Sequence, residues 1–220
     1  MRIAKLMRPL FKGKSDSGLT LIECLVAVAV IAATVGITTP VVILSVATRV
    51  QSQRAEQALQ LAQAEIDRLR VQTERGGSYT IDVASTALAT DVTQFEANVP
   101  APVNGIDNAQ ASTSVNYARL ASVSGNEYAI QSFRTVGSTT ATGKPISFDM
   151  GVRVYRADVI RNTPAGDLKT EGAALNMTSG EELERPLAVI YTTIVQGDRE
   201  DSLCNYYNTI NPAASAPSNC

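Results

Sequence analysis

The first third of the chain carries a long apolar segment. Residues 24–47 contain no charged side chain and are rich in Val, Ile, Ala and Leu. A helix over this segment rises about 1.5 Å per residue and is therefore roughly 36 Å long, enough to cross a hydrocarbon core of about 30 Å. The pattern predicts a transmembrane helix over residues 19–47.

A second helical pattern follows directly, over residues 48–75. It contains no Gly or Pro until Gly76 and Gly77, which predict the end of the helix. Apolar residues recur at spacings of three and four, which places them on one helix face. They are Ala55, Leu59, Ala62, Ile66 and Leu69. We expect this face to pack on a sheet of the same chain.

Period-two patterns predict three strands in the remainder of the chain. They cover Tyr128–Val136, Phe148–Arg156 and Leu187–Val195. The third strand is nearly apolar on both sides and is predicted to be central. Segments 78–127 and 157–186 are predicted to be loops. A long helix followed by antiparallel strands predicts an α+β fold, with a transmembrane helix that continues into a soluble head over residues 76–220.

The distribution of charge predicts an orientation for the apolar segment. Residues 1–18 hold five basic side chains against Asp16, and only Arg49 follows the apolar segment closely. The positive-inside rule then places the N-terminus in the cytoplasm and the remaining chain, from about Arg49 onward, outside. The chain is therefore predicted to cross a membrane once.

Three alternatives compete with a retained membrane helix. A secretory signal could be cut after Ser45-Val46-Ala47, but the apolar segment exceeds an ordinary signal and Glu23 lies at its front edge. A lipoprotein signal could use Cys24, but the residues before this cysteine are not small, and the apolar run follows it. A buried helix of a soluble protein does not account for the basic leader.

Composition excludes several chemistries. The chain has no His, no Trp and three Cys, with a net charge of −2. The absence of His excludes a His-based triad, a His general base and a His-ligated metal. Three thiols are too few for a Cys-only metal cluster, and the net charge argues against binding by phosphate neutralisation. We therefore predict that the chain is not an enzyme, needs no cofactor and binds no nucleic acid.

The most specific motif is Gly18-Leu19-Thr20-Leu21-Ile22-Glu23, where the basic leader ends and the apolar helix begins. This run resembles the N-terminal signature of the type IV pilin and type II secretion pseudopilin family. The resemblance implies that a prepilin peptidase cuts between Gly18 and Leu19, removing the leader 1–18, and methylates the amine of Leu19. It also implies that Glu23 is the assembly carboxylate. Leu19 departs from the usual Phe, and Cys24 is an unusual neighbour.

Electrostatics predicts that Glu23 pairs with a positive charge, independently of the family resemblance. A lone carboxylate in an apolar zone costs a few kcal/mol and requires a partner. Cleavage would create one, because the new amine of Leu19 lies four residues away on the same chain or on a neighbouring copy. The alternative is a carboxylate that becomes protonated or reaches the interface.

Gly36 and Pro40 interrupt the apolar pattern. A proline removes one helical hydrogen bond and clashes with the carbonyl four residues earlier, so a kink or local melting is predicted between these two residues. Thr38 and Thr39 could satisfy freed carbonyls there. A proline in this part of the helix is also common in the pilin family.

The C-terminal region offers two further sites. Cys204 and Cys220 are predicted to form a disulfide worth about 3 kcal/mol, with two free thiols as the alternative. Family resemblance supports such a C-terminal bridge. The acidic residues Asp198, Glu200 and Asp201 are a candidate calcium site, without the specific spacing of an EF-hand, and a solvated acidic turn is the alternative.

The resulting hypothesis is a structural subunit, a minor pilin or pseudopilin, that assembles through its N-terminal helix into a type IV pilus or a type II secretion pseudopilus. After removal of five basic and one acidic residue, 14 basic and 20 acidic side chains would give a net charge of −6. The implied partners are other pilin subunits, the prepilin peptidase, an inner-membrane assembly platform and membrane lipid. The implied location is the bacterial inner membrane, crossed once, with the head in the periplasm. The rival hypothesis is a bitopic membrane protein with a periplasmic ligand-binding or sensory head.

Overall fold

The computed structural model divides the chain into two compact units, Met1–Ala47 and Thr48–Cys220. It describes residues 18, 20–75, 81–139, 143–173, 183–197, 204, 207 and 211, and within this set the side chains at 37, 38, 40 and 41 are also left out. The described part contains three α-helices and one six-stranded sheet, so the fold is mixed helix and sheet.

Helix α1 covers Leu21–Glu74. Its start is defined by Thr20, whose carbonyl and hydroxyl oxygens both accept from the amide of Glu23, at 3.0 and 3.3 Å. Thr20 and Glu23 have the spacing of a capping box, and a negative charge in the first turn favours the positive end of the helix dipole. The helix is continuous through residues 36–40, so the backbone does not melt there, and the kink at Gly36 and Pro40 stays a prediction.

In the described part of α1, no stretch is long and apolar enough to span a membrane. The predicted fold with a transmembrane helix over 19–47 is therefore wrong. The single-pass inner-membrane localisation, the periplasmic head and the rival bitopic hypothesis depended on that helix and are corrected with it.

The sheet contains strands β1 to β6 in chain order. Their bounds are Ala84–Thr86, Arg119–Val123, Asn126–Thr135, Ser138–Thr139, Pro145–Arg156 and Ala188–Val195. Strands β3 and β5 pair antiparallel at its centre, with Ile130 opposite Val154. Strand β6 pairs with the other edge of β5, where Val152 lies opposite Ile190. Strand β2 pairs antiparallel and β1 pairs parallel with the outer edge of β3, and β4 pairs with the start of β5.

The three predicted strands correspond to β3, β5 and β6, with bounds that differ by at most three residues. The prediction that the last strand is central is wrong, because the described residues pair β6 with β5 alone. The strand is apolar on both sides for another reason: Ile190 packs toward the helix side of the sheet and Tyr191 toward the opposite side. Apolar residues on both faces of β6 reflect a sheet that is covered on both sides.

The main core lies between the second half of α1 and one face of the sheet. Ala58, Ala62, Ile66 and Leu69 are buried against strand residues that include Met150. The predicted helix face is therefore correct at residues 62, 66 and 69. It is wrong at Leu59, which is 44% exposed, because the buried face passes through position 58 instead.

The opposite face of the sheet is covered by segments that the sequence predicted as loops. Helix α2, Phe95–Asn98, and helix α3, Ala157–Asn162, lie in these segments. Phe95 meets Phe133 edge-on, with ring centroids 5.1 Å apart. The Phe133 ring lies directly over Gly151, where a Cβ atom would be 2.5 Å from ring carbons. A glycine at position 151 therefore makes room for the aromatic cluster that anchors this layer.

Candidate functional site

The predicted processing site lies at the start of α1. Gly18 is exposed and precedes the helix, whereas Leu19 lies outside the described residues. Thr20 caps the helix two residues after Gly18. Helix α1 begins at Leu21, three residues after Gly18, so the exposed Gly18 lies outside the helix.

Glu23 is exposed in the first turn of α1. Within the described part of the chain it has no ion-pair partner, and the amine expected at Leu19 would exist only after cleavage. Thr20 and Glu23 have capping-box spacing, and a glutamate at this position of a capping box also stabilises the helix start. The described structure shows the amide of Glu23 donating to Thr20 but no hydrogen bond from the amide of Thr20 to the carboxylate of Glu23. The two roles can be distinguished experimentally. Pairing with an amine requires the negative charge of Glu23, whereas a capping box also accepts a neutral Gln at this position.

Large apolar side chains are exposed around α1 from residue 21 to residue 46. Leu21 is 82% exposed, and the others are between 54% and 67% exposed. They are Ile22, Leu25, Val26, Val28, Val30, Ile31, Val35, Val42, Ile43, Leu44 and Val46. A helix that is apolar on all sides is normally buried by neighbouring structure. This surface is therefore the strongest candidate for contact between copies of the chain.

The predicted C-terminal sites lie largely outside the described residues. Cys204 is disulfide-bonded, and Cys24 is a free, exposed thiol. Cys220, the predicted partner of Cys204, is not among the described residues, and neither are Asp198, Glu200 and Asp201. Across the described ranges, no group of three or more Cys, Asp or Glu side chains could hold a metal ion. The disulfide pairing and the calcium site stay predictions.

Arg153 is a structural feature of the head that sequence patterns missed. It lies on β5 and is completely buried. Its guanidinium donates to the carbonyl oxygens of Phe95 at 2.7 Å and Val99 at 2.9 Å, and to the hydroxyl of Tyr191 at 3.0 Å. The same group lies 4.9 Å from the ring centroid of Phe133. Arg153 thus fixes α2 to the sheet through hydrogen bonds to backbone carbonyls. Such bonds cannot be predicted from a pattern of side chains, because any residue supplies a carbonyl.

A second buried charge, Glu65, connects α1 to the edge of the sheet. Glu65 is 4% exposed, and its carboxylate accepts from Arg68 at 2.9 Å and from Arg119 at 2.5 Å. Arg68 also reaches Asp82 at 2.7 Å. The hydrogen bond to Glu65 raises the pKa of Arg68 further above its usual range. Glu65 and Arg68 each already have partners of opposite charge, so neither charge is left to bind a ligand. The network is therefore structural and holds α1 against the edge of the sheet.

Comparison with known proteins adds no assignment. A scan against protein-family models, a search of curated proteins and a search of solved structures each found no match.

Proposed function

We propose that this chain is a structural subunit, a minor pilin or pseudopilin, that is processed between Gly18 and Leu19 and assembles through its N-terminal helix. The assembly would be a type IV pilus or a type II secretion pseudopilus. Its partners would be other subunits of the same kind, a prepilin peptidase and an assembly platform. The observation that carries the proposal is the run from Gly18 to Glu23 at the start of a helix whose apolar side chains are exposed on all sides between residues 21 and 46.

The exposed apolar surface supports assembly between copies. Fully burying a Val, Leu or Ile side chain is worth about 1.5–3 kcal/mol. Leu21, Ile22 and the ten further apolar side chains up to Val46 are each more than half exposed. Packing the helices of several copies side by side would remove this surface from water, and a patch of this size on one chain marks an interaction site.

Glu23 supports a specific register for that packing. In the apolar interior of a helix bundle, the carboxylate of Glu23 would pair with the methylated amine of Leu19 on a neighbouring copy. Truncating one member of a buried ion pair costs about 2–5 kcal/mol, because the other charge is left unpaired. The pair would therefore select copies that are processed and correctly staggered, since an uncut chain has no amine at residue 19.

The head supports a minor subunit. One face of its sheet is covered by residues 81–118 and 157–173, which contain only short helices, one short strand and irregular segments. Long irregular segments on a stable sheet are typical of surfaces that carry a specialised role.

Two variants at position 23 and one control variant test the proposal. Glu23→Leu removes the charge and the cap, whereas Glu23→Gln removes only the charge and keeps the side chain that a capping box accepts. We expect both variants to be processed but depleted from sheared filaments at least tenfold relative to wild type. Glu56→Leu, at an exposed position of the same helix, is the matched control and should enter filaments normally.

The outcomes separate the two roles of Glu23. Normal incorporation of Glu23→Gln with loss of Glu23→Leu would reduce Glu23 to a helix cap. Normal incorporation of both variants would contradict the assembly role. Absence of the wild-type chain from filaments would contradict the proposed function itself.

A further inference from the structure

Strand β6 is the last strand on its side of the sheet among the described residues. Its even-numbered residues bond to β5, since the amide of Gln196 donates to the carbonyl of Ile146 at 2.8 Å and Ile194 lies opposite Phe148 in the same register. Hydrogen-bonded and non-hydrogen-bonded pairs alternate along an antiparallel ladder. The backbone N–H and C=O groups of the odd-numbered residues therefore point away from β5. These residues are Val189, Tyr191, Thr193 and Val195.

The outward backbone groups of these four residues have no hydrogen-bond partner in the described part of the chain. Just before the strand, the amide of Ala173 donates to the carbonyl of Pro186 at 2.9 Å, so the edge is covered up to that point. None of the four residues is fully buried. From Val189 to Val195, β6 thus presents a row of unpaired donors and acceptors.

The opposite edge of the sheet, formed in part by β2, is closed. The amide of Leu120 in β2 donates to Oδ1 of Asn108 at 2.8 Å, and Ile106 forms a bridge with Ala118 directly before this strand. Proteins protect edges that stay free with charged residues, Pro or bulges. Residues 188–195 contain no charged residue, Pro or Gly, and all but the first are Val, Ile, Tyr or Thr. Such an unprotected edge of strand-forming residues is a site for the addition of another strand.

The sequence of β6 indicates which strand fits this edge, because it is nearly symmetric about Thr192. Consider a second copy of β6 paired antiparallel, with Thr192 opposite its own copy. The other opposite pairs are then Ile190 with Ile194, Val189 with Val195, and Tyr191 with Thr193. Every pair is uncharged and β-branched or aromatic, and such cross-strand pairs stabilise sheets. A register shifted by two residues would instead place Ile190 opposite Gln196.

We propose that two copies of this chain pair through the outer edges of their β6 strands, antiparallel about Thr192, and form a dimer with twofold symmetry. The outward groups of residues 189 and 191 bond to those of residues 195 and 193 in the other copy, so a single pairing satisfies the whole edge. A twofold axis makes both copies use the same surface, as a nearly symmetric strand requires. The interface lies in the head and does not use the exposed apolar surface of α1, so it goes beyond the proposed function and does not depend on it.

A cross-link at the symmetry axis tests the pairing. The two copies of residue 192 form a non-hydrogen-bonded pair, with Cα atoms about 4.5 Å apart. This distance lies within the range of about 4.4–6.8 Å that a disulfide bond needs. Thr192→Cys should therefore form a disulfide-linked dimer when the full-length chain is mildly oxidised in detergent, which covers the apolar side chains of α1. Each variant also carries Cys24→Ser, because Cys24 is a free thiol.

Ser122→Cys is the matched control, because Ser122 is an exposed hydroxyl residue on β2, at the closed edge. We expect about tenfold or more cross-linked dimer for Thr192→Cys than for Ser122→Cys at the same concentration. Mass spectrometry of a tryptic digest should show the peptide that contains residue 192 joined to itself.

A second variant tests the backbone hydrogen bonds. The N–H group of Val195 points away from β5, so Val195→Pro removes an outward donor and leaves the ladder to β5 intact. Added to Thr192→Cys, it should lower the cross-linked fraction about tenfold, whereas Val195→Thr keeps the donor and should not. Far-UV circular dichroism should show that both variants remain folded.

Three results would overturn the inference. The first is equal cross-linking of Thr192→Cys and Ser122→Cys. The second is undiminished cross-linking in a folded Val195→Pro variant. The third is a disulfide between residue 192 and Cys220 of the same chain, which would assign the edge to the chain's own C-terminal segment.

Discussion

Replacing Arg153 with Met should destabilise the head severely. The guanidinium is completely buried, and no carboxylate among the described residues neutralises it. Its charge is compensated by carbonyl oxygens and by the rings of Phe133 and Tyr191. Met keeps the length and much of the apolar packing of the side chain, so the substitution isolates the loss of the hydrogen bonds.

The magnitude follows from the groups left behind. In Arg153→Met, the carbonyl of Val99 would have no donor among the described residues, and that of Phe95 would keep only the amide of Val99. A buried polar group without its partner costs about 1–3 kcal/mol. Loss of the bond to the Tyr191 hydroxyl adds to this, while removal of a buried charge offsets part of it. We expect a net loss of about 2–4 kcal/mol in the free energy of unfolding.

Urea denaturation of the full-length chain, followed by near-UV circular dichroism of its tyrosines, measures this loss. Arg70→Met is the control, because Arg70 is 47% exposed and lies 3.4 Å from Asp67 on the helix surface. Such exposed pairs contribute less than about 1 kcal/mol. Equal stability of Arg153→Met and Arg70→Met would refute the view that Arg153 fixes α2 to the sheet.

Three further predictions concern other parts of the chain. Gly18→Glu should block cleavage, because the resemblance implies a tight peptidase pocket at this position; an unchanged mobility shift on gels would contradict it. Ala62→Glu should unfold the head or cost at least about 3 kcal/mol, since it buries a charge in the core, whereas Leu59→Glu should cost less than about 0.5 kcal/mol in the same urea experiment. Asp149→Asn should raise the melting temperature at pH 7. Burial raises the pKa of Asp149, so the folded state binds a proton at this carboxyl more tightly than the unfolded state does. The resulting stabilisation of the wild-type fold is complete below the ordinary pKa of 3.8, and it is lost as the pH rises through the pKa of the folded state. The difference in melting temperature between Asp149→Asn and wild type should therefore vanish below pH 3.8. A difference that persists there would refute the raised pKa of Asp149 as its cause.

Local patterns predicted the elements whose residues alternate or recur with a clear period. Strands β3 and β5 and the helix positions 62, 66 and 69 are examples, because a period of two or 3.6 directly reflects which face is buried. The start of α1 was predicted to within two residues, because the basic leader ends where the apolar residues begin.

The remainder depended on contacts between distant segments. Residues 81–118 have no period, and they are held on the sheet by Arg153 and Phe133, which lie on strands far along the chain. The edge position of β6 was missed because a strand covered on both faces has the same apolar pattern as a central strand. The groove that Asp149 lines could not be predicted either, because its lining comes from five separate strands and the segment before α2.

The mass of the mature chain tests the central claim most directly. If the chain is a processed pilin-like subunit, intact-protein mass spectrometry of material purified from its native source will show the loss of residues 1–18. The N-terminal peptide will begin at Leu19 and carry one additional methyl group. A mature chain that retains residue 1, or that begins after Ala47, would contradict the proposed function.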